Sequence, residues 1–207
     1  MTTSPNYWPE ACTALSKRCR VLKGLIAAHP GGLQKKSGTT FQTLARAIVG
    51  QQISVKAAQT VWDRTVTAVG TMTPARVLAV EETILRGAGS SRQKISYLKD
   101  LAGRFANGTI RPNRWKAMSD EEVIADLTTV KGVGRWTAEM FLIFSLTRPN
   151  IFPIGDLGLV RAVERHFHDK ERITAAEVRA YAERWDPWNT VATWYLWRSL
   201  DPIPVEY

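Results

Sequence analysis

The stretch Leu127-Thr-Thr-Val-Lys-Gly-Val-Gly-Arg-Trp-Thr-Ala138 sets two glycines one residue apart between two segments of helical spacing. Glycine at 132 and 134 permits a tight turn and lets another backbone approach without a Cβ in the way. A helix that starts directly after Gly134 aims its first amides and the positive end of its dipole over the turn. The N–H groups of Gly132, Val133 and Gly134 are therefore expected to bind a phosphate, with Lys131 and Arg135 adding charge on either side. Gly-x-Gly alone also fits a plain helix–helix turn; the basic flanks favour the anion. About twenty residues further on, Asp156 stands in Phe152-Pro-Ile-Gly-Asp156-Leu-Gly-Leu, directly before another helix. Asp is a preferred helix cap. One helix, Trp136–Leu146, and a short loop also return the chain toward the hairpin, where a carboxylate can act on what the hairpin holds.

Helices must position these groups, because the chain reads as helix after helix. Trp8–Ala28 carries apolar residues at helical spacing with Pro9 near its start, and Pro30-Gly31-Gly32 ends it. Phe41–Val49 follows a polar loop. Ser54 caps a helix to Val69 that Gly70 stops, Thr73-Pro74 opens another, and Ser91 starts one reaching about Ala106, with Gly108 beyond it. Ser119-x-x-Glu122 and Thr174-x-x-Glu177 are capping boxes, for helices to Leu127 and to near Trp185. Trp188–Ser199 is the last helix before a proline-broken tail. No segment alternates with period two, so the fold class is all-α. The chain is expected to be one unit over 1–207: an N-terminal arm 1–40, a helical core 41–200 with the hairpin at 127–138, and a tail 201–207. The Gly108–Pro112 loop is the expected divider between two helical lobes.

The composition narrows the partner. The 207 residues hold 28 Lys and Arg against 19 Asp and Glu, a net charge of +9 that favours a polyanion such as nucleic acid. Two cysteines, Cys12 and Cys19, are too few for an iron–sulfur cluster. On one helix they stand about 10 Å apart along its axis, beyond the reach of a disulfide. His166 and His168 point to different sides of a helix, so no zinc is expected. Apolar stretches such as Met140–Leu146 are far short of the ~20 residues that cross a bilayer. The N-terminus shows no basic-then-apolar secretory pattern, and the expected location is the cytoplasm.

Further stretches sharpen the reading: Ala47-Ile-Val-Gly-Gln-Gln-Ile-Ser54, Ser90-Ser-Arg-Gln-Lys-Ile-Ser-Tyr97, and Trp185-Asp-Pro-Trp-Asn-Thr-Val-Ala-Thr-Trp-Tyr-Leu-Trp-Arg198. With the hairpin and Asp156, they make roughly residues 41–200 resemble the helix–hairpin–helix DNA glycosylase superfamily. The branch is the alkylation-repair, 3-methyladenine DNA glycosylase II type. The resemblance implies a two-lobed helical core with the active-site cleft between the lobes. It also implies that Asp156 is the essential acid and that Gln51, Gln52 and Ile53 enter the minor groove. Some relatives have a Leu wedge where Gln52 stands, and the loop Pro153-Ile154-Gly155 departs from the Gly-Pro-Asp version of the family. In the motif, backbone carbonyls on the far side of the turn hold a monovalent cation, Na+ or K+; by position these are Thr128, Val130 and Val133.

The chemistry follows. Breaking a base–sugar bond passes through a sugar cation, which a fixed carboxylate stabilises while orienting water. An alkylated purine is already cationic, so a second acid is less needed, and Glu139 is read as a solvated or paired helix residue. Aromatic faces attract a cationic base and stack on flipped ones. Trp136 is the first pocket candidate and Trp185 and Trp188 the next, while Trp62, Trp194 and Trp197 are assigned to core packing. In lyase-competent relatives a lysine occupies the slot of Trp136, so the resemblance implies hydrolysis by water, leaving an abasic site in an uncut strand. Lys131, Arg135 and the Arg92/Lys94 pair are the phosphate-contact candidates. The expected protein is a monomeric, monofunctional glycosylase acting on alkylated purines in double-stranded DNA, without a catalytic cofactor. The alternatives are a glycosylase for oxidised or mismatched bases, or a non-catalytic helix–hairpin–helix module that binds DNA.

Overall fold

The computed structural model describes residues 4–34 and 38–200; the tail 201–207 lies outside the described residues. Among them are twelve α-helices, one 3-10 turn and no strand. In order these are α1 (Trp8–Arg18), α2 (Arg20–Ala28), α3 (Thr40–Gly50), α4 (Val55–Val69), α5 (Pro74–Ala79), α6 (Glu82–Gly87), α7 (Arg92–Ala106), the 3-10 turn Pro112–Ala117, α8 (Asp120–Thr128), α9 (Arg135–Phe144), α10 (Leu157–Phe167), α11 (Ala175–Trp185) and α12 (Asn189–Leu200). No helix among the described residues is long and apolar enough to cross a membrane.

Local chemistry sets most boundaries. Ser54, Thr73 and Ser91 each accept a hydrogen bond from the backbone N–H three residues on. The boxes at Ser119/Glu122 and Thr174/Glu177 close in both directions, and so does one at Thr39/Gln42. Gly70, at φ 75°, ends α4.

Three boundaries differ from the sequence reading. The expected single helix Trp8–Ala28 breaks at Cys19, which is extended at φ −141° and ψ 116°. The buried residues Trp8, Ala11, Leu15 and Leu22 keep helical spacing across the break, so periodicity carries no trace of it. The axial distance argued for the two cysteines therefore does not apply; both are free thiols. α9 stops at Phe144 instead of Leu146, because Thr147 turns left-handed at φ 51° and the Arg148 N–H folds back to the Leu142 carbonyl. The short α6 carried no cap signal, since Glu81 makes no capping hydrogen bond.

The described residues form two compact units, one from 4–34 and 142–200, the other from 38–141. The expected divider, Gly108–Pro112, is not the boundary. It is stitched into the second unit, where Ile110 is buried and its N–H bonds the Arg104 carbonyl. In the first unit, α12 is the central element and packs against α1, α2, α10 and α11. Trp8 meets Trp194 edge-on at 5.5 Å, and its indole N–H donates to the Tyr195 hydroxyl, which donates in turn to Gly31. This pairs the two ends of the sequence, which composition cannot reveal. In the second unit, α7 buries Ile95, Leu98, Leu101 and Ala102 among α3, α5 and α6. Trp115 is fully buried edge-on to Phe141, and its indole N–H bonds Asp126 at 2.6 Å.

The two histidines near the end of α10 find separate partners, His166 with Ser199 and His168 with Tyr181. Burial, with Arg165 beside it, holds the His166 imidazole below the usual histidine range. Folding thus disfavours its protonation, so the unfolded chain binds more protons as pH falls through about 6.5, and stability falls with it. Between pH 7.5 and 5.5, His166→Gln is expected to lose less thermal stability than the wild type. The difference is on the scale of a few tenths of a kcal/mol because solvent screens the site. Equal losses in thermal melts of the two chains would remove His166 from this role.

Candidate functional site

The hairpin lies in the second unit, between α8 and α9. Leu127, Val130 and Val133 are buried and anchor it. Gly132 adopts φ +80°, and a Cβ there would run into the ring of Tyr97; both the turn and the packing demand glycine. A Cβ on Gly134 would meet nothing within 4 Å, so packing within the fold does not require that glycine. The Val133 amide does not face outward as expected. It donates to the Val130 carbonyl at 3.0 Å, closing the turn. The N–H groups of Gly132 and Gly134 are not hydrogen-bonded among the described residues.

The two flanking cations differ. Lys131 is exposed, with no carboxylate within ion-pair distance among the described residues, while its backbone N–H bonds Asp100 at 2.9 Å. Burial pushes the Asp100 carboxyl up, but the Lys131 amide and the Arg104 guanidinium outweigh it and hold it below the usual carboxylate range. Arg135 is already engaged. It grips Glu121 through two nitrogens, at 2.5 and 2.9 Å, and Glu139 through a third at 3.0 Å. Hydrogen bonding from Arg135 holds Glu121 below its ordinary range, and Glu121 pushes Arg135 up. The spacing of Glu139 to Arg135 is helical; Glu121, on α8, had no local signal. Lys94 is committed as well: its Nζ donates to the Val49 carbonyl at 2.8 Å, and burial lowers its proton affinity. Arg92 is exposed.

Of the carbonyls expected to face a cation, Val130 accepts the Val133 amide, whereas Thr128 and Val133 accept no hydrogen bond among the described residues. The Thr128 carbonyl stands at the C-terminal end of α8, where the helix dipole is negative.

The segment 51–53 splits in its behaviour. Gln52 is exposed in a left-handed conformation, φ 59°, and Ile53 is 40% exposed beside it. Gln51 turns instead to the protein, its Nε2 donating to the Gly132 carbonyl at 2.8 Å.

The carboxylate belongs to the first unit. Asp156 caps α10, its Oδ1 accepting the Leu159 N–H at 2.6 Å and the Trp197 indole N–H at 2.8 Å. Trp197 stacks flat on Phe144, with 6.0 Å between centroids and 8° between planes. Gly158 leaves room for this arrangement, since a Cβ there would stand 3.1 Å from Oδ1. Asp156 is 7% exposed, while its neighbour Leu157 is 70% exposed. The capping role and the candidate catalytic role thus fall on the same side chain. Trp197 was assigned to core packing by sequence reasoning; it is buried, and it also holds the acid. Forty-one residues separate the pair, so no local spacing points to it.

The tryptophan candidates sort by burial. Trp136 is 39% exposed. Trp188 is half-buried and stacks on Tyr7 at 5.8 Å. Trp185 is 2% exposed and enclosed by Phe152, Phe167 and Tyr181. Its ring is thus packed in the core of the first unit, contrary to the exposed aromatic face that the sequence reading expected.

Residues 45–187 match the family model described as HhH-GPD superfamily base excision DNA repair protein. The chain is 38% identical over 193 residues to DNA-3-methyladenine glycosylase 1 of Schizosaccharomyces pombe, covering 90% of this chain and 84% of that one. Its fold is similar to a DNA-3-methyladenine glycosidase from Bacillus halodurans, with a TM-score of 0.84 and 32% identity, covering 93% and 89% of the two chains. It is also similar to the S. pombe 3-methyladenine DNA glycosylase in complex with abasic DNA, with a TM-score of 0.78 and 30% identity, covering 96% and 100%.

Proposed function

Since the chain belongs to the HhH-GPD superfamily of base excision DNA repair proteins, we propose that it is a monofunctional DNA glycosylase. Its reaction hydrolyses the N-glycosidic bond of alkylated purines, 3-methyladenine among them, in double-stranded DNA and leaves an abasic site. The observation that carries this reading is the Asp156 carboxylate, fixed by two donors on one oxygen at the head of α10. A carboxylate pinned in this way needs no reorganisation when positive charge develops on a sugar, and it stabilises that charge directly. The S. pombe relative has been seen with abasic DNA, the kind of product this reaction leaves.

Extruding a base costs least where it is damaged, and a cationic alkylated purine departs readily, so a single acid suffices. Trp136 stands where lyase-competent relatives carry a lysine; an indole forms no Schiff base, and water is the nucleophile. Trp136, 39% exposed, supplies an aromatic face for the base. Gln52 fills the space left in the stack, with Ile53 beside it. The amides of Gly132 and Gly134, with Lys131, hold the DNA backbone; the carbonyls of Thr128, Val130 and Val133 would hold a Na+ or K+ ion, which would supply positive charge at the same turn. The protein works as a monomer. Base release from methylated duplex DNA, with the products identified, tests the reading. Release of methylated purine without strand cleavage or a borohydride-trapped adduct is expected. Release only from oxoguanine-containing or mismatched duplex, or none at all, would overturn it.

The pairing of Arg135 yields a sharper expectation for binding. Each phosphate contact contributes about 0.9 to the slope of log affinity against log salt. Lys131→Ala is expected to lower that slope by about 1 on duplex DNA. Arg135→Ala is expected to leave it nearly unchanged, because that guanidinium is spent on Glu121 and Glu139. Titrations at several salt concentrations that gave equal slopes for the two variants would contradict this division.

A further inference from the structure

We propose that Gln51 is a positioning residue, a latch that ties the exposed Gln52-Ile53 tip to the phosphate-facing hairpin so that the two reach DNA as one preset unit. The inference deepens the glycosylase reading above and rests on it for the word DNA; the latch itself is a property of the free protein. The hydrogen bond from Gln51 Nε2 to the Gly132 carbonyl, 2.8 Å long, spans 81 residues of sequence. The peptide unit between Gly132 and Val133 is thereby held at both ends, its carbonyl by Gln51 and its N–H by the Val130 carbonyl at 3.0 Å. A peptide unit is planar and rigid, so holding both ends fixes the orientation of that unit at the centre of the turn. On the other side, Gln51 is the last residue before the tip. Gln52 follows in its left-handed conformation, φ 59°, and so the side chain that grips the hairpin is covalently adjacent to the group that protrudes.

Helix α7 backs the same arrangement from below. Lys94 Nζ holds the Val49 carbonyl at 2.8 Å, two residues before Gln51. The ring of Tyr97 fills the space where a Cβ on Gly132 would stand. Asp100 takes the Lys131 amide at 2.9 Å, and Arg104 bonds both Asp100, at 2.8 Å, and Thr129, at 3.3 Å. Residues 94, 97, 100 and 104 are three, three and four apart, which puts them on one face of a helix. Both loops are thus mounted on one strut, and Gln51 joins them directly. The separation between tip and phosphate-facing amides is set before DNA arrives, so binding does not have to order it.

The test uses the full chain without DNA. Gln51→Met keeps the length and apolar packing of the side chain but has no donor; Gln51→Ala removes the side chain, and the Met variant decides the matter if the Ala variant does not fold. The Val133 amide is expected to exchange its hydrogen about three- to tenfold faster in either variant, the scale of one lost hydrogen bond, while the Leu98 amide in α7 keeps its wild-type rate. Affinity for undamaged duplex falls by a similar factor, and Lys131→Ala costs less in the Gln51→Met background than in the wild type, because the loosened hairpin no longer presents its contacts well. Unchanged Val133 exchange in Gln51→Met would overturn the latch. If affinity fell at the same time, Gln51 would be a direct DNA contact. A wild-type chain that released no base would end the glycosylase reading and leave the exchange result standing by itself.

Discussion

Asp156→Asn is expected to slow base release from methylated duplex DNA on the order of a thousandfold while leaving duplex affinity within a few-fold of wild type. The substitution is a clean one for this site. An Asn oxygen still accepts the Leu159 N–H and the Trp197 indole N–H that Asp156 Oδ1 accepts now, and Asn caps a helix as well as Asp does. The cap, the start of α10 and the stacking of Trp197 on Phe144 are therefore retained, and what disappears is the carboxylate opposite a developing sugar cation. Single-turnover release under enzyme excess isolates the chemical step, and a binding titration on the same duplex covers the rest. Release at the wild-type rate would make Asp156 a helix cap only. A large drop in affinity matching the drop in rate would mean that the side chain acts on binding instead of on bond cleavage.

The second large effect concerns the hairpin. Gly132→Ala is expected to cost about 2–4 kcal/mol of stability, from a Cβ in a left-handed conformation and a collision with the Tyr97 ring. Duplex affinity should fall with it, because the Gly132 amide and the turn that aims Gly134 both move. Gly134→Ala is the control: its added methyl meets nothing within the fold, so the midpoint of urea unfolding should stay near wild type while duplex affinity falls through the lost approach. The ring is the specific obstacle. Combining Gly132→Ala with Tyr97→Ala should therefore cost less than the sum of the two single changes. Wild-type urea midpoints for Gly132→Ala would show that Tyr97 moves aside freely and that the glycine is not required by packing.

These expectations drew on different parts of the molecule's legibility. The caps at Ser54, Thr73, Ser91, Ser119 and Thr174 were readable because a cap is a contract between residues three apart. The position of Asp156 before α10 was readable for the same reason. The break at Cys19 was not, since the apolar residues on either side keep one helical register. The exposed Lys131 and the ion-paired Arg135 look alike in sequence; Glu121, fourteen residues away on another helix, separates them. Trp185 and Trp197 both read as aromatic residues near the end of the chain. Only their surroundings make one a plug among Phe152, Phe167 and Tyr181 and the other a hydrogen-bond donor to the acid.

By itself the sequence determined the helical character, the caps, the glycine turn and the place of Asp156 at the head of a helix, all of which rest on interactions within a few residues or on motifs carried whole. The tertiary structure decided which charges are spent on each other, which side chain holds the carboxylate of Asp156, and which side chain ties down the Gly132 carbonyl of the turn. Those outcomes depend on groups separated by 14, 41 and 81 residues. The hydrophobic packing that brings such groups together is non-directional, so it records that a residue is apolar but leaves its eventual neighbours unstated.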